Sequence, residues 1–171
     1  MPDRPVLFLS ECHADTALIR FLFSDPKLSI HETGCPEVAR TMLSSKAGDY
    51  NLIGIVDNDK KLNIHCKGFF KSFDVSQERD KLILKKNFST NQSIIIIDKA
   101  IETFILWNAS QVDIDMFDYG FAVDPKRLGD QFKSPSIETD PEYLRLLTDL
   151  RTRQAPGILT LERLLNDLIT T

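Results

Sequence analysis

Asn51-Leu52-Ile53-Gly54-Ile55-Val56-Asp57-Asn58-Asp59-Lys60 is the stretch on which the reading of the whole chain turns. Its apolar run, 52–56, is β-branched at three of five positions and predicts a buried strand. The run ends at two aspartates spaced one apart. Ligands of open α/β sheets bind outside the carboxyl ends of the strands, so Asp57 and Asp59 fall where a site would form. If the backbone stays extended to residue 60, both side chains share one side, with Cα atoms roughly 6.5 Å apart. Two carboxylates in that relation can share or flank a metal ion.

Working toward the amino terminus, 6–10 (Val-Leu-Phe-Leu-Ser) predicts a first strand, apolar throughout as in parallel sheets covered on both faces. Residues 14–23 repeat apolar positions at helical spacing, 28–31 form a short second strand, and 36–43 a second helix. Strand, helix, strand, helix, strand argues for an open, mostly parallel α/β sheet with helices on both faces. Toward the carboxyl terminus, 61–73 is expected to be helical despite Gly68, and 82–84 a short strand or extended edge. Four consecutive isoleucines in 93–98 predict a strand buried on both faces, with a helix over 100–108 leaving it. Residues 110–140 are the least regular, with partial strand alternation over 112–117. Two helices, 141–150 and from 159 or 160 to 169, close the chain, with Gly157 between them. The expected organisation is one domain over 1–171, with a core at 5–109 and an irregular segment plus two packed helices over 110–171.

A length of 171 residues suffices for one domain with a real core. The formal charge of −4 gives no global reason to expect nucleic acid, though a local basic patch can still bind it. Cys12, Cys35 and Cys66 lack paired metal-ligand spacing. With no signal-peptide pattern and no membrane span at the start, the expected location is the cytoplasm, where such thiols are semi-buried small side chains or, alternatively, redox or ligand groups.

Glu11 follows the first strand as Asp57 and Asp59 follow the organising one, so their carboxylates can converge at one rim of the sheet. Like charges at one place repel and raise some pKa values unless cations or hydrogen bonds compensate. Hard oxygen donors suit Mg²⁺ or Mn²⁺.

In these residues the chain resembles the TOPRIM family, the catalytic fold of bacterial primases, type IA and type II topoisomerases and several nucleases. The matching pattern is Val6-Leu7-Phe8-Leu9-Ser10-Glu11 with Ile55-Val56-Asp57-Asn58-Asp59, over residues 5–109. Asp15 is similar to an acidic residue early in the family's first helix. Glu102 is similar to a later glutamate of its nuclease-like members. Cys12-His13 stands where the family commonly has glycine after its glutamate. The resemblance implies that Asp57, Asp59, Glu11 and Glu102 bind Mg²⁺ or Mn²⁺, with Glu11, Asp57 and Asp59 catalytic and Glu11 serving as ligand or as general acid/base. It implies a Mg²⁺-dependent nuclease or related phosphotransfer enzyme, with DNA or RNA as partner.

Lys60 and Lys61 are candidate phosphate contacts beside the acids, or solvated surface. His13 is a candidate substrate contact or proton donor, or a helix-start residue. His31 and His65 have no ligand spacing. The alternative function is a non-catalytic TOPRIM-like adaptor that contacts a protein partner or a second copy through the carboxyl-terminal helices. Phosphate-metabolite chemistry is a third reading, weakened by the absence of a glycine-rich phosphate loop.

Overall fold

The computed structural model describes residues 4–23, 25, 28–58, 66 and 68–170. In chain order the elements are β1 (Val6–Ser10), α1 (His13–Leu22), β2 (Ser29–His31), α2 (Cys35–Met42), the single turn α3 (Lys46–Asp49), and β3 (Asn51–Asp57). A 3₁₀ turn (Phe69–Ser72) leads to β4 (Asp74–Arg79), β5 (Leu82–Asn87), β6 (Gln92–Ile97) and α4 (Ile101–Gln111). Two further 3₁₀ turns (Met116–Tyr119 and Pro135–Thr139) bracket α5 (Pro125–Phe132), before α6 (Pro141–Thr152) and α7 (Pro156–Ile169).

The six strands form one sheet in the order β2-β1-β3-β6-β5-β4. β2, β1, β3 and β6 are mutually parallel, and β5 and β4 add as an antiparallel hairpin. The architecture is an open, mostly parallel α/β sheet. Because β1 is flanked by β2 on one side and β3 on the other, the chain reverses its direction of travel across the sheet between them. That reversal is the place where such sheets open a crevice at their carboxyl rim.

Alternating residues of the central strands feed two cores. Phe8, Ile53, Ile55, Ile95 and Ile97 face one side and pack with α1, α4, α6 and α7. Leu7, Leu9, Leu52, Val56, Ile94 and Ile96 face the other and pack with α2, Phe70 and Phe73. Gly54 lies where α2 approaches β3 most closely. A Cβ there would stand 3.0 Å from Val38 and 3.1 Å from Met42 Sδ, so the bare backbone permits the contact.

The carboxyl-terminal helices turn their apolar faces inward: Tyr143, Leu146, Leu147 and Leu150 of α6 and Ile158, Leu161, Leu164 and Leu165 of α7 are all buried in the first core. Gly157 does not separate these helices. It sits in the first turn of α7, where an added Cβ would fall 2.6 Å from Asn108 Nδ2 and 2.7 Å from Phe104. Asn108 is fully buried on α4, and its Oδ1 accepts the N–H groups of Gly157 (2.8 Å) and Ile158 (3.3 Å). Those are the donors a capping side chain normally satisfies. The cap residue is Ala155, which has no side-chain acceptor, and Asn108 takes over its task from a neighbouring helix.

Other differences from the sequence reading have local causes. β4 has an exposed, polar sequence, Asp-Val-Ser-Gln-Glu-Arg, and carries no apolar alternation to announce a strand. It forms because Asp80 (φ 50°) and Lys81 (φ 67°) adopt left-handed backbone conformations and close a tight turn onto β5. Residues 112–117 are not a strand. Asp113 is left-handed (φ 51°), and Asp115 accepts the N–H of Phe117 at the start of a 3₁₀ turn. The helix expected over 61–73 lies partly outside the described residues; its described end is the 3₁₀ turn after Gly68.

Candidate functional site at the carboxyl rim

Ser10 pairs with Ile55, so Glu11 leaves β1 level with Val56 and one step short of Asp57. The backbone continues the ladder for that step, since Glu11 N–H donates to Ile55 O at 3.2 Å. The side chain then reaches across, and Glu11 Oε2 accepts the backbone N–H of Asp57 at 2.9 Å. Two acids far apart in sequence are thereby fixed at one rim, beside the reversal point of the sheet.

Glu102 arrives from the next strand. It occupies the first turn of α4, which follows β6, where a carboxylate interacts favourably with the helix dipole. It lies against α5 at Gly129: a Cβ built on that glycine would be 3.3 Å from Glu102 Oε1. Glu11, Asp57 and Glu102 line one cleft of about 370 Å³, whose other walls include Cys12, Gly34, Phe132 and Lys133.

Next to the cleft-lining Cys12, Asp15, 1% exposed, sits in the first turn of α1. Its Oδ2 accepts the N–H of Cys12 at 3.2 Å, while its buried Oδ1 has no hydrogen-bond partner among the described residues. Burial is the largest cause pushing the Asp15 carboxyl up to about 7, the hydrogen bonds from Cys12 oppose it, and the charges of Glu11 and Glu102 push further upward. Burial likewise drives the Cys12 thiol far above its ordinary value, with the charges of Asp15 and Asp57 adding to it. Cys12 is therefore a neutral wall of the cleft, not a thiolate nucleophile.

His13 turns away from this cleft. Its Nδ1 lies 2.5 Å from Glu138 Oε1, and its ring stacks on His31 at 3.8 Å. Asp59, Lys60, Lys61 and His65 lie outside the described residues. Lys133 went unnoticed in sequence because it follows a helix in the segment with the weakest periodicity and belongs to no motif. Only the docking of α5 beside α4 brings it to the cleft.

The donor set is chemically suited to a hard divalent cation: three carboxylates, those of Glu11, Asp57 and Glu102, border one cleft. The fold is that of an open α/β protein, with acidic side chains gathered at the carboxyl rim beside the switch point. No protein-family model, curated protein or solved structure matches the chain. No helix among the described residues is long and apolar enough to cross a membrane.

Proposed function

We propose that the chain is a divalent-metal-dependent nuclease, or a related phosphotransfer enzyme, of TOPRIM-like type acting on nucleic-acid phosphodiesters. The reading rests on one observation above others. Glu11 is held against the backbone of Asp57 at 2.9 Å, in a cleft that Glu102 also borders.

Glu11, Asp57 and Glu102 would hold Mg²⁺ or Mn²⁺, and by the resemblance Asp59 would join them. When bound, such an ion supplies Lewis-acid stabilisation of charge on a phosphoryl group. The chain's own residues do the rest. The bond to Asp57 N–H fixes the direction of the Glu11 carboxylate, which serves as a further ligand or as the general acid/base. Lys133 also lines the cleft, and its ammonium can meet a phosphate oxygen without reading base sequence. Phe132 and Cys12 give the cleft an apolar, uncharged lining that strengthens the electrostatic interactions within it.

The adaptor alternative would use the apolar faces of α6 and α7 for a partner. Those faces are already buried in the chain's own core, which favours the enzyme reading.

The test is Mn²⁺-dependent cleavage of single- and double-stranded DNA and RNA by the wild type, Asp57→Asn and Glu102→Gln, with circular dichroism as the folding check. Cleavage by the wild type and its loss by at least about a hundredfold in Asp57→Asn are expected, the scale of losing a principal electrostatic contributor. Undiminished cleavage by a folded Asp57→Asn protein would reject the site.

A further inference from the structure

One strand away from the acidic cleft, a second group of side chains gathers with a different chemistry. His13 begins α1, His31 ends β2, and Glu138 lies in the 3₁₀ turn Pro135–Thr139. One donor atom from each lies within 4.8 Å of the other two. Among the described residues this is the set of histidine, cysteine and acidic side chains that meets that spacing.

We propose that His13, His31 and Glu138 form a binding site for a transition-metal ion of the Zn²⁺ class, separate from the acidic cleft. The donors are two imidazole nitrogens and one carboxylate oxygen, a set that suits zinc and its neighbours and not Mg²⁺, which takes oxygen. Three protein ligands leave at least one position open for water or another ligand.

The surroundings of the carboxylate fit that role. Arg20 Nη1 donates to Glu138 Oε2 at 2.5 Å and leaves Oε1 directed at His13. A ligating carboxylate is typically oriented by such a hydrogen bond to its other oxygen. The side chains of His13 and Glu138 are 22% and 19% exposed, so an ion reaches them without unfolding the chain. Donors on a tetrahedral zinc ion lie about 3.3 Å apart. Reaching that spacing means opening the 2.5 Å contact between His13 and Glu138 and rotating two rings that now stack 21° from parallel, so that both nitrogens turn toward the ion. A plain ion pair between His13, Glu138 and Arg20 would explain the carboxylate contacts; it gives no reason for a second imidazole nitrogen to lie within 4.8 Å of the same group.

Cobalt(II) is the probe, because its visible bands distinguish nitrogen from oxygen ligands. It is titrated into metal-free full-length protein with Mg²⁺ in excess to saturate the acidic cleft. The wild type is expected to take up one equivalent with nitrogen-ligand bands that Zn²⁺ abolishes. His31→Phe keeps a ring on which His13 can stack but removes the donor, and it should weaken Co²⁺ by at least about tenfold, since even the loss of a ligand's hydrogen-bond partner costs that much. Asp57→Asn should leave the Co²⁺ titration unchanged, which separates this site from the cleft. In the unmutated protein, Co²⁺ should broaden the imidazole resonances of two of the three histidines. Absence of bands and broadening in the wild type, or unchanged Co²⁺ affinity in folded His31→Phe, would overturn the proposal.

Discussion

Glu11 Oε2 accepts the backbone N–H of Asp57 at 2.9 Å across 46 residues of sequence. The contact joins the carboxyl ends of β1 and β3, and it makes Glu11 both a structural tie and a charge. The two roles can be separated by substitution. Glu11→Gln keeps an oxygen that can accept the N–H but removes the charge, so it should melt within a few degrees of the wild type and lose Mn²⁺ affinity. Glu11→Ala loses both and should be less stable by about 1 kcal/mol, the usual net worth of one hydrogen bond. Thermal melts and Mn²⁺ calorimetry on the two variants check this; equal Mn²⁺ binding by wild type and Glu11→Gln would remove Glu11 from the site.

Asp15 gives the protein a pH dependence of definite sign. Its carboxyl titrates at about 7 when folded against an ordinary 3.8, chiefly through burial, so the folded state binds its proton more tightly than the unfolded state does. That contribution to stability is fully present below pH 3.8, fades as pH rises toward 7, and is absent above. Its full size is on the order of 4 kcal/mol at most. Asp15→Asn stays neutral at every pH and still offers an oxygen to Cys12 N–H. Urea unfolding at pH 5 and pH 8 without divalent ions should show the wild type losing stability relative to Asp15→Asn as pH rises. Parallel profiles would contradict the assignment.

Asn108 and Gly157 carry a comparable burden for the fold. Asn108→Ala leaves two buried N–H groups at the start of α7 without their acceptor and should cost about 2 to 4 kcal/mol. Gly157→Ala forces a Cβ to within 3 Å of Asn108 and Phe104 and should cost a similar amount through overpacking. Chemical denaturation measures both. A loss below about 0.5 kcal/mol in either, the range of ordinary surface changes, would mean that α7 docks differently.

Gly129→Ala tests the wall behind Glu102. Its Cβ would press on Glu102 Oε1 at 3.3 Å, and the flexible glutamate should swing aside more readily than α5 moves. The expected outcome is near-normal stability with several-fold weaker Mn²⁺ binding. Unchanged binding would place Glu102 outside the ion's reach.

The elements legible in the sequence share one physical basis. Runs such as 52–56 and 94–97 are buried on both faces, and a segment with nothing polar to expose leaves little choice of structure. Acids at the ends of parallel strands must share a rim, so Glu11 and Asp57 could be brought together on paper. What sequence could not supply depends on a neighbour. β4 exists because β5 offers it an edge, Gly157 is small because Asn108 lies against it, and Lys133 matters because α5 docks beside Glu102. His13, His31 and Glu138 are unrelated in spacing and meet only when the turn at 135–139 folds back over α1 and β2.

The central claim is that Glu11 and Asp57 are two sides of one divalent-cation site. A crystal of the full chain soaked in Mn²⁺ and measured at the manganese edge tests it most directly. An anomalous peak is expected about 2.2 Å from carboxylate oxygens of Glu11 and Asp57, within the usual range for oxygen ligands of divalent cations. A fully soaked crystal with no peak in that cleft, or with manganese held only by side chains elsewhere, would contradict it.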